Sequence, residues 1–145
     1  MGTAILKKHP ESIIDRLRNP VLTVADKRKL VSDPAISGRE REHTVYHLRE
    51  TAENWDKEDC ARIEAVRVLK SIDMETAATL SLELAGNKTN SILLRCNAIA
   101  FFVKNRQSCS RAVIEDAANL FCKTAADENE PHAVRQQAAD AFAIM

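Results

Sequence analysis

This sequence is poor in the residues that interrupt helices and form turns. It has only three Gly and four Pro in 145 residues, and aromatic residues make up 4% of it. Sheet proteins with many short strands need more turn residues than this, so the composition favours helices joined by short connections. The length suits one domain with a substantial core. We therefore expect a single all-α domain.

Long hydrophobic runs are also missing. The longest uninterrupted apolar run is AIAFFV at residues 98–103, and a membrane-spanning helix needs roughly 20 apolar residues. The opening MGTAILKKHP has too short an apolar stretch for a secretory signal, and Leu6 stands where a myristoylation motif has Ser or Thr. The sequence therefore predicts no membrane contact and a cytoplasmic location.

Neither sign of charge is in excess, because 21 Lys and Arg balance 21 Asp and Glu. Nothing global attracts such a chain to phosphate backbones or acidic membranes, so nucleic acid is not the expected partner. The distribution is uneven, with a net charge of +4 over residues 1–29 and −4 over residues 115–130. These could be the solvated ends of a monomer or the complementary ends of a weak, salt-sensitive oligomer.

A repeated frame stands out among the residues that are present. The segments CARIEAVRVL, LLRCNAIAFF and AVRQQAADAF each place Ala three residues after an Arg and a large apolar residue seven after it. The three sets are Arg62/Ala65/Leu69, Arg95/Ala98/Phe102 and Arg135/Ala138/Phe142. Shifting residues 75–105 onto 115–145 gives eight identities over 31 positions without a gap. Periods of 33 and 40 residues indicate stacked helix pairs.

Apolar spacing and helix-starting residues predict about eight helices. Two short ones lie in PESIIDRLRN and TVADKRKLVSD, and the first long one carries a stripe of Val45, Leu48, Ala52 and Trp55. The expected organisation is one domain over residues 1–145, with short capping helices in 1–36 and helix pairs in 37–72, 73–106 and 107–145. Whether the first 34 residues bind a partner or only cap the stack stays open.

The differences between repeats predict how the stack ends. The helix at 92–103 is apolar almost all round, as expected for a helix covered on both sides. In the last helix Gln136 replaces Cys96 and Asp140 replaces Ala100, which would turn that face toward water. This is the pattern of a capping repeat.

The three R-x-x-A frames resemble HEAT-type repeats over about residues 38–145. The resemblance implies a short right-handed α-solenoid of antiparallel helix pairs. It also implies that Arg62, Arg95 and Arg135 belong to a structural ladder of bonds to a nearby Asp or Asn. Asn87 and Asp127 precede their Arg by eight residues, and Asp56 precedes Arg62 by six.

The sequence gives only weak signals for a metal site or a reactive thiol. His43 and His47 stand one turn apart, but no third ligand follows at a recognised spacing, so we expect no metal and no cofactor. The four Cys form no C-x-x-C pair, and Cys60, Cys96 and Cys122 are expected on apolar faces. Cys109 lies near Arg106 and Arg111 at a predicted helix start, where its pKa could be lowered and its thiol reactive.

The leading functional hypothesis is a non-enzymatic module that binds another protein, as an adaptor or as an inhibitor that masks its partner. Second helices usually line the concave side of such stacks. The candidate partner-binding residues are their polar positions: Glu64, Arg67, Asn97, Lys104, Gln137 and Asp140. Their mixed charge favours a protein partner over a polyanion. The alternative is a HEAT-like enzyme or binder acting on nucleic acid or a chromophore, for which Tyr46 and Trp55 are the candidate stacking residues.

Overall fold

The computed structural model describes residues 12–145, which contain eight α-helices and no strand. The helices are α1 Ile13–Leu17, α2 Val24–Val31, α3 Gly38–Glu53, α4 Asp59–Leu69, α5 Met74–Gly86, α6 Ile92–Asn105, α7 Arg111–Ala126 and α8 His132–Ala143. The all-α prediction is confirmed, and the helix bounds follow the predicted ones closely. None of the helices in this range is long and apolar enough to cross a bilayer. Lys7, Lys8 and Glu11, which belong to the basic end, lie outside the described residues.

Side-chain caps start six of these helices. In each, an oxygen of the capping side chain accepts the N–H of the residue three positions later, which satisfies a donor that the helix itself leaves free. The capping residues are Ser12, Thr23, Ser37, Asp73, Ser91 and Ser110. Each such cap contributes about 1 kcal/mol, so the helix starts are encoded locally.

The helices contact one another as successive pairs. α3 packs on α4, α5 on α6 and α7 on α8. The first helices also contact each other in the order α1, α3, α5, α7, and the second helices in the order α2, α4, α6, α8. The short helices α1 and α2 therefore continue both rows.

The Arg of each repeated frame makes the same main-chain bond. Its Nε donates to the carbonyl of an Ala ten residues earlier, at the C-terminal end of the first helix of the pair. The three bonds are Arg62 to Ala52 at 2.9 Å, Arg95 to Ala85 at 2.8 Å and Arg135 to Ala125 at 3.4 Å. The last carbonyls of a helix have no partner within it, so this Arg completes the end of the neighbouring helix.

The Asp and Asn side chains expected to bind these Arg residues stabilise the turns instead. The side-chain oxygens of Asn54, Asn87 and Asp127 each accept the N–H of the residue two positions later, at 2.9, 3.0 and 2.9 Å. Asn54, which precedes Arg62 by eight residues, is thus the equivalent residue, and the sequence-based choice of Asp56 is wrong. Within the described residues, the expected Arg to Asp or Asn bonds are not formed.

One Arg of the three also links neighbouring pairs. Arg95 binds Glu130 through both carboxylate oxygens, and the Nη1 to Oε1 distance is 3.2 Å. Both side chains are buried, with 2% and 4% of their surface exposed. A buried carboxylate needs such a partner, because an uncompensated charge away from water is costly.

The core runs along the contact between the two helix rows. Ala65, Ala98 and Ala138 of the repeated frames are all buried, and Phe102 meets Phe121 edge to face with ring centroids 5.8 Å apart. The small Ala side chains let the paired helices approach, and the Phe rings fill the layer between pairs.

Several predicted core positions are exposed. Trp55 is 79% exposed because α3 ends at Glu53, before the predicted stripe reaches it. Phe142 is 45% exposed whereas its equivalent Phe102 is fully buried, since α8 is the last helix described. α6 contacts α4 and α8, which agrees with the prediction that it is covered on both sides, but its apolar residues Ile92, Leu93 and Ala100 are exposed. Gln136 and Asp140 are exposed as predicted, and Gln136 Nε2 donates to Asp140 Oδ1 at 3.0 Å.

Replacing Arg95 by Met should cost about 3–5 kcal/mol of unfolding free energy, because Glu130 would stay buried without its counter-charge. The matched control is Arg135→Met, which removes one long bond from a half-buried side chain and should cost less than about 1.5 kcal/mol. Urea unfolding followed by circular dichroism measures both. Equal losses for the two variants would contradict the role given to the Arg95 and Glu130 pair.

Candidate functional site

A groove of about 250 Å³ opens between α2, α4 and α6. Four of its lining residues are cations: Arg28, Arg67, Lys70 and Lys104. The remaining lining residues are polar amides or apolar: Val24, Asn97, Ala100, Phe101 and Asn105. Among the described residues no acidic side chain lines it, although acidic and basic residues are equally abundant in the whole chain. The charge of this groove is therefore strongly positive.

Helical spacing brings these residues to one surface. Arg67 on α4 and Lys70, the residue that follows α4, are three positions apart and so lie on adjacent turns of one face. Asn97, Phe101 and Lys104 follow the same rule on α6. Arg28 comes from α2, and its Nε donates to Ser71 Oγ at 2.9 Å. That bond holds the Arg28 guanidinium at the edge of the groove.

The cations of the groove have no acidic partner among the described residues. Within residues 12–145, none of the four forms a salt bridge. Partial burial lowers the pKa of Lys70, and the charges of Arg28 and Lys104 lower it further. Repulsion among like charges is a cost to the folded protein, and an anion placed among them would remove it.

The six candidate partner-binding residues do not form one surface. Arg67, Asn97 and Lys104 meet in the groove. Glu64 faces a different cleft and forms a salt bridge with Lys27 at 2.7 Å. Gln137 and Asp140 lie on α8, and Asp140 is already bonded to Gln136. Arg28 and Lys70 are not among the residues predicted from the sequence, although Lys70 could have been found from its position one turn after Arg67.

The larger cleft, about 560 Å³, lies between α1, α2, α3 and α4. Its lining mixes both signs of charge: Arg18, Lys27 and Lys57 with Glu50 and Glu64, beside His47. Because Lys27 and Glu64 neutralise each other, the net positive charge that this cleft presents to a ligand is smaller than that of the groove. We therefore regard the groove as the stronger candidate site despite its smaller volume.

The histidines do not form a metal site. His43 is exposed and His47 is half-buried in the larger cleft, and no group of three or more possible ligands occurs within the described part of the chain. Burial lowers the pKa of His47, and the charge of Arg18 lowers it further. His47 therefore resists protonation in the folded protein.

The cysteines depart from their predicted environments. Cys60 and Cys122 are exposed rather than packed on apolar faces, and Cys96 is half-buried. Burial raises the pKa of the Cys109 thiol and the charge of Glu75 raises it further, which is the opposite of the lowering that an activated thiol would require. Cys109 Sγ also donates to the Asn105 carbonyl at 3.4 Å.

The acidic stretch at 115–130 is largely engaged within the chain. Glu130 pairs with Arg95, Asp127 with Lys88 at 2.9 Å and Glu115 with Arg111 at 3.2 Å. Only Asp116 and Glu128 of its five acids form no salt bridge within residues 12–145. This stretch therefore offers less free charge to a second copy than its sequence suggests.

Comparison of the chain with protein-family models, curated proteins and solved structures finds no significant match. The HEAT-type resemblance therefore stays a prediction, and the argument for function rests on the groove.

His47→Gln should reduce the loss of stability in mild acid. A His whose pKa is lower in the folded than in the unfolded protein stabilises the fold at pH values above the unfolded pKa of 6.5. That contribution is lost as the pH falls through the lower pKa of the folded state. We expect the wild-type Tm to fall more steeply than that of the variant between about pH 7 and 5. His43→Gln, on the exposed neighbouring turn, should keep the wild-type profile. Parallel profiles for all three proteins would contradict this assignment.

Alkylation should separate the cysteines into two classes. Cys60 and Cys122 are exposed, whereas Cys96 and Cys109 are half-buried with raised pKa values. Because the thiolate is the reacting form, iodoacetamide should modify the second class at least about tenfold more slowly at neutral pH. Peptide mapping after timed quenching gives the rates. First modification at Cys109 would show that its thiol is activated.

Proposed function

We propose that this protein is a non-catalytic module that binds another protein through the groove between α2, α4 and α6. With this we propose that its helix pairs form a short right-handed α-solenoid of the HEAT type, in which the second helices line the concave side. The contacts along the two helix rows support the arrangement. A cytoplasmic location remains part of the same prediction.

The observation that carries the proposal is the convergence of Arg67, Asn97 and Lys104 with Arg28 and Lys70. Three helices far apart in sequence supply these groups, and the part of the chain that the structure describes leaves their charge without a salt bridge. Clefts lined by one sign of charge attract ligands of the opposite sign and speed their association. The partner is therefore expected to present an acidic segment, and the module would act as an adaptor or as an inhibitor that covers that segment.

The alternative, a nucleic-acid binder, is favoured by the same four cations but by little else. Glu64 precedes Arg67 by one turn on α4, and α8, which packs against α6, carries Asp140 at the position equivalent to Ala100, so the helices next to the groove also carry acidic residues. A long polyanion would meet these residues on leaving it. Tyr46 and Trp55 are exposed, but neither lines the groove.

The test uses two double charge reversals that change the net charge equally. Arg67→Glu with Lys104→Glu acts on the groove, and Arg39→Glu with Lys123→Glu changes exposed residues that line neither cleft. Proteins retained from a lysate of the native cell by the wild type are identified, purified and titrated against all three proteins by calorimetry. We expect 1:1 binding that weakens at least about tenfold in the groove variant, since like charges facing each other are costly.

The control variant should bind the purified partner as the wild type does. Equal binding by the two double variants would overturn the proposal. Binding to duplex DNA alone, lost in the groove variant and at high salt, would establish the alternative instead.

A further inference from the structure

The groove suits a compact dianion better than a single carboxylate. Resting on the proposed function, we infer that it binds a phosphorylated side chain of the partner protein. A phosphate monoester carries a charge of about −1.5 to −2 and three acceptor oxygens at neutral pH. An Asp or Glu carboxylate carries a single charge on two oxygens.

The number and type of donors match a phosphate. Arg28 and Arg67 present planar guanidinium groups that can bind two oxygens at once, and Lys70 and Lys104 add point charges. With its Nε bound to Ser71, Arg28 still has both terminal nitrogens on the guanidinium fork. Asn97 adds an uncharged amide to the lining. A dianion would neutralise about half of the charge of the four cations, whereas a carboxylate would leave three of them uncompensated.

The mixed lining of the groove suits a side chain that carries its charge at the tip. Lys70 is half-buried, and Phe101, with Val24 and Ala100, supplies an apolar lining. A partly desolvated cation binds a phosphate more strongly than a fully hydrated one, because water screens the attraction less. One N–H of the Asn105 side-chain amide donates to the Phe101 carbonyl at 2.8 Å, which fixes the orientation of this amide in the lining.

The surroundings favour one phosphate over a chain of phosphates. Glu64 is on the cleft side of α4 and pairs with Lys27, so the positive charge does not continue into the larger cleft. At the equivalent of Ala100, α8 carries Asp140 in place of a further cation. Four cations without an acidic neighbour in the lining thus share a groove of only about 250 Å³ in the described structure. A phosphorylated protein segment fits this limit better than a nucleic acid.

The experiment uses N-acetyl-phosphoserine N-methylamide as the probe and N-acetyl-glutamate N-methylamide as its carboxylate control. Each is titrated into the uniformly ¹⁵N-labelled full chain and followed by amide chemical shifts. We expect the phosphoserine probe to shift residues around Arg67, Lys70 and Lys104, with a Kd at least about tenfold below that of the glutamate control. Binding should strengthen between about pH 5.5 and 7.5, across the second ionisation of the phosphate at about 6.

That pH dependence belongs to the probe, since the titratable residues lining the groove in the described structure are Arg28, Arg67, Lys70 and Lys104 and include no His or carboxylate. Arg67→Gln and Lys104→Gln should each weaken phosphoserine binding by about tenfold, as the loss of one charge-assisted contact does. Both side chains are exposed, so the variants should keep the wild-type spectrum elsewhere. Lys123→Gln, on α7 and outside the groove, should bind as the wild type does.

Three results would overturn the inference: no shifts at the groove, equal affinity for the two probes, or binding of a single-stranded oligonucleotide with none of phosphoserine. The first two leave the proposed function intact if a purified partner still binds in a groove-dependent way. If the protein binds phosphoserine at the groove but binds no partner protein there, the proposed function alone would be contradicted.

Discussion

The bond from a second-helix Arg to a first-helix carbonyl is the interaction on which the rest of the structure depends. It joins residues ten positions apart in three successive pairs, with Nε to oxygen distances of 2.9, 2.8 and 3.4 Å. Each bond uses a carbonyl that the first helix cannot satisfy itself. It also sets how the second helix returns after the turn, and thereby which of its faces is buried. In the middle pair the same Arg extends to Glu130, so it connects one pair to the next at the cost of burying two charges.

The groove follows from that geometry. Once the Ala of each frame faces the core, the residues on the opposite side of the second helices must form a surface. On α4 and α6 this surface carries Arg67, Asn97 and Lys104, and α2 adds Arg28. Elsewhere several cations pair with carboxylates, as Lys27 with Glu64 and Lys88 with Asp127, whereas the four of the groove form no salt bridge within residues 12–145. Unpaired like charges that destabilise a fold and remain in a concave site are typical of binding surfaces.

The sequence-based errors have a common physical cause. Periodicity describes which residues share a face of a helix, but not where the helix ends or what lies against it. Trp55 fits the stripe of α3 and yet is exposed, because the chain leaves the helix at Asn54. Phe142 matches Phe102 in the repeat but has no later helix pair against it in the described structure. The sequence left the reactivity of Cys109 open for a similar reason, since the burial and the Glu75 charge that raise its thiol pKa come from the tertiary structure.

By itself the sequence determined the helical class, the helix starts and the pairing of successive helices, because apolar spacing, N-terminal capping residues and the repeated Arg and Ala frame are local signals. It also placed Arg67, Asn97 and Lys104 on one side of the second helices. Only the tertiary structure decided that these three belong with Arg28 and Lys70, while Glu64, Gln137 and Asp140 lie elsewhere. Net charge and periodicity do not reveal such grouping, because it depends on which helices touch and which charges already have partners.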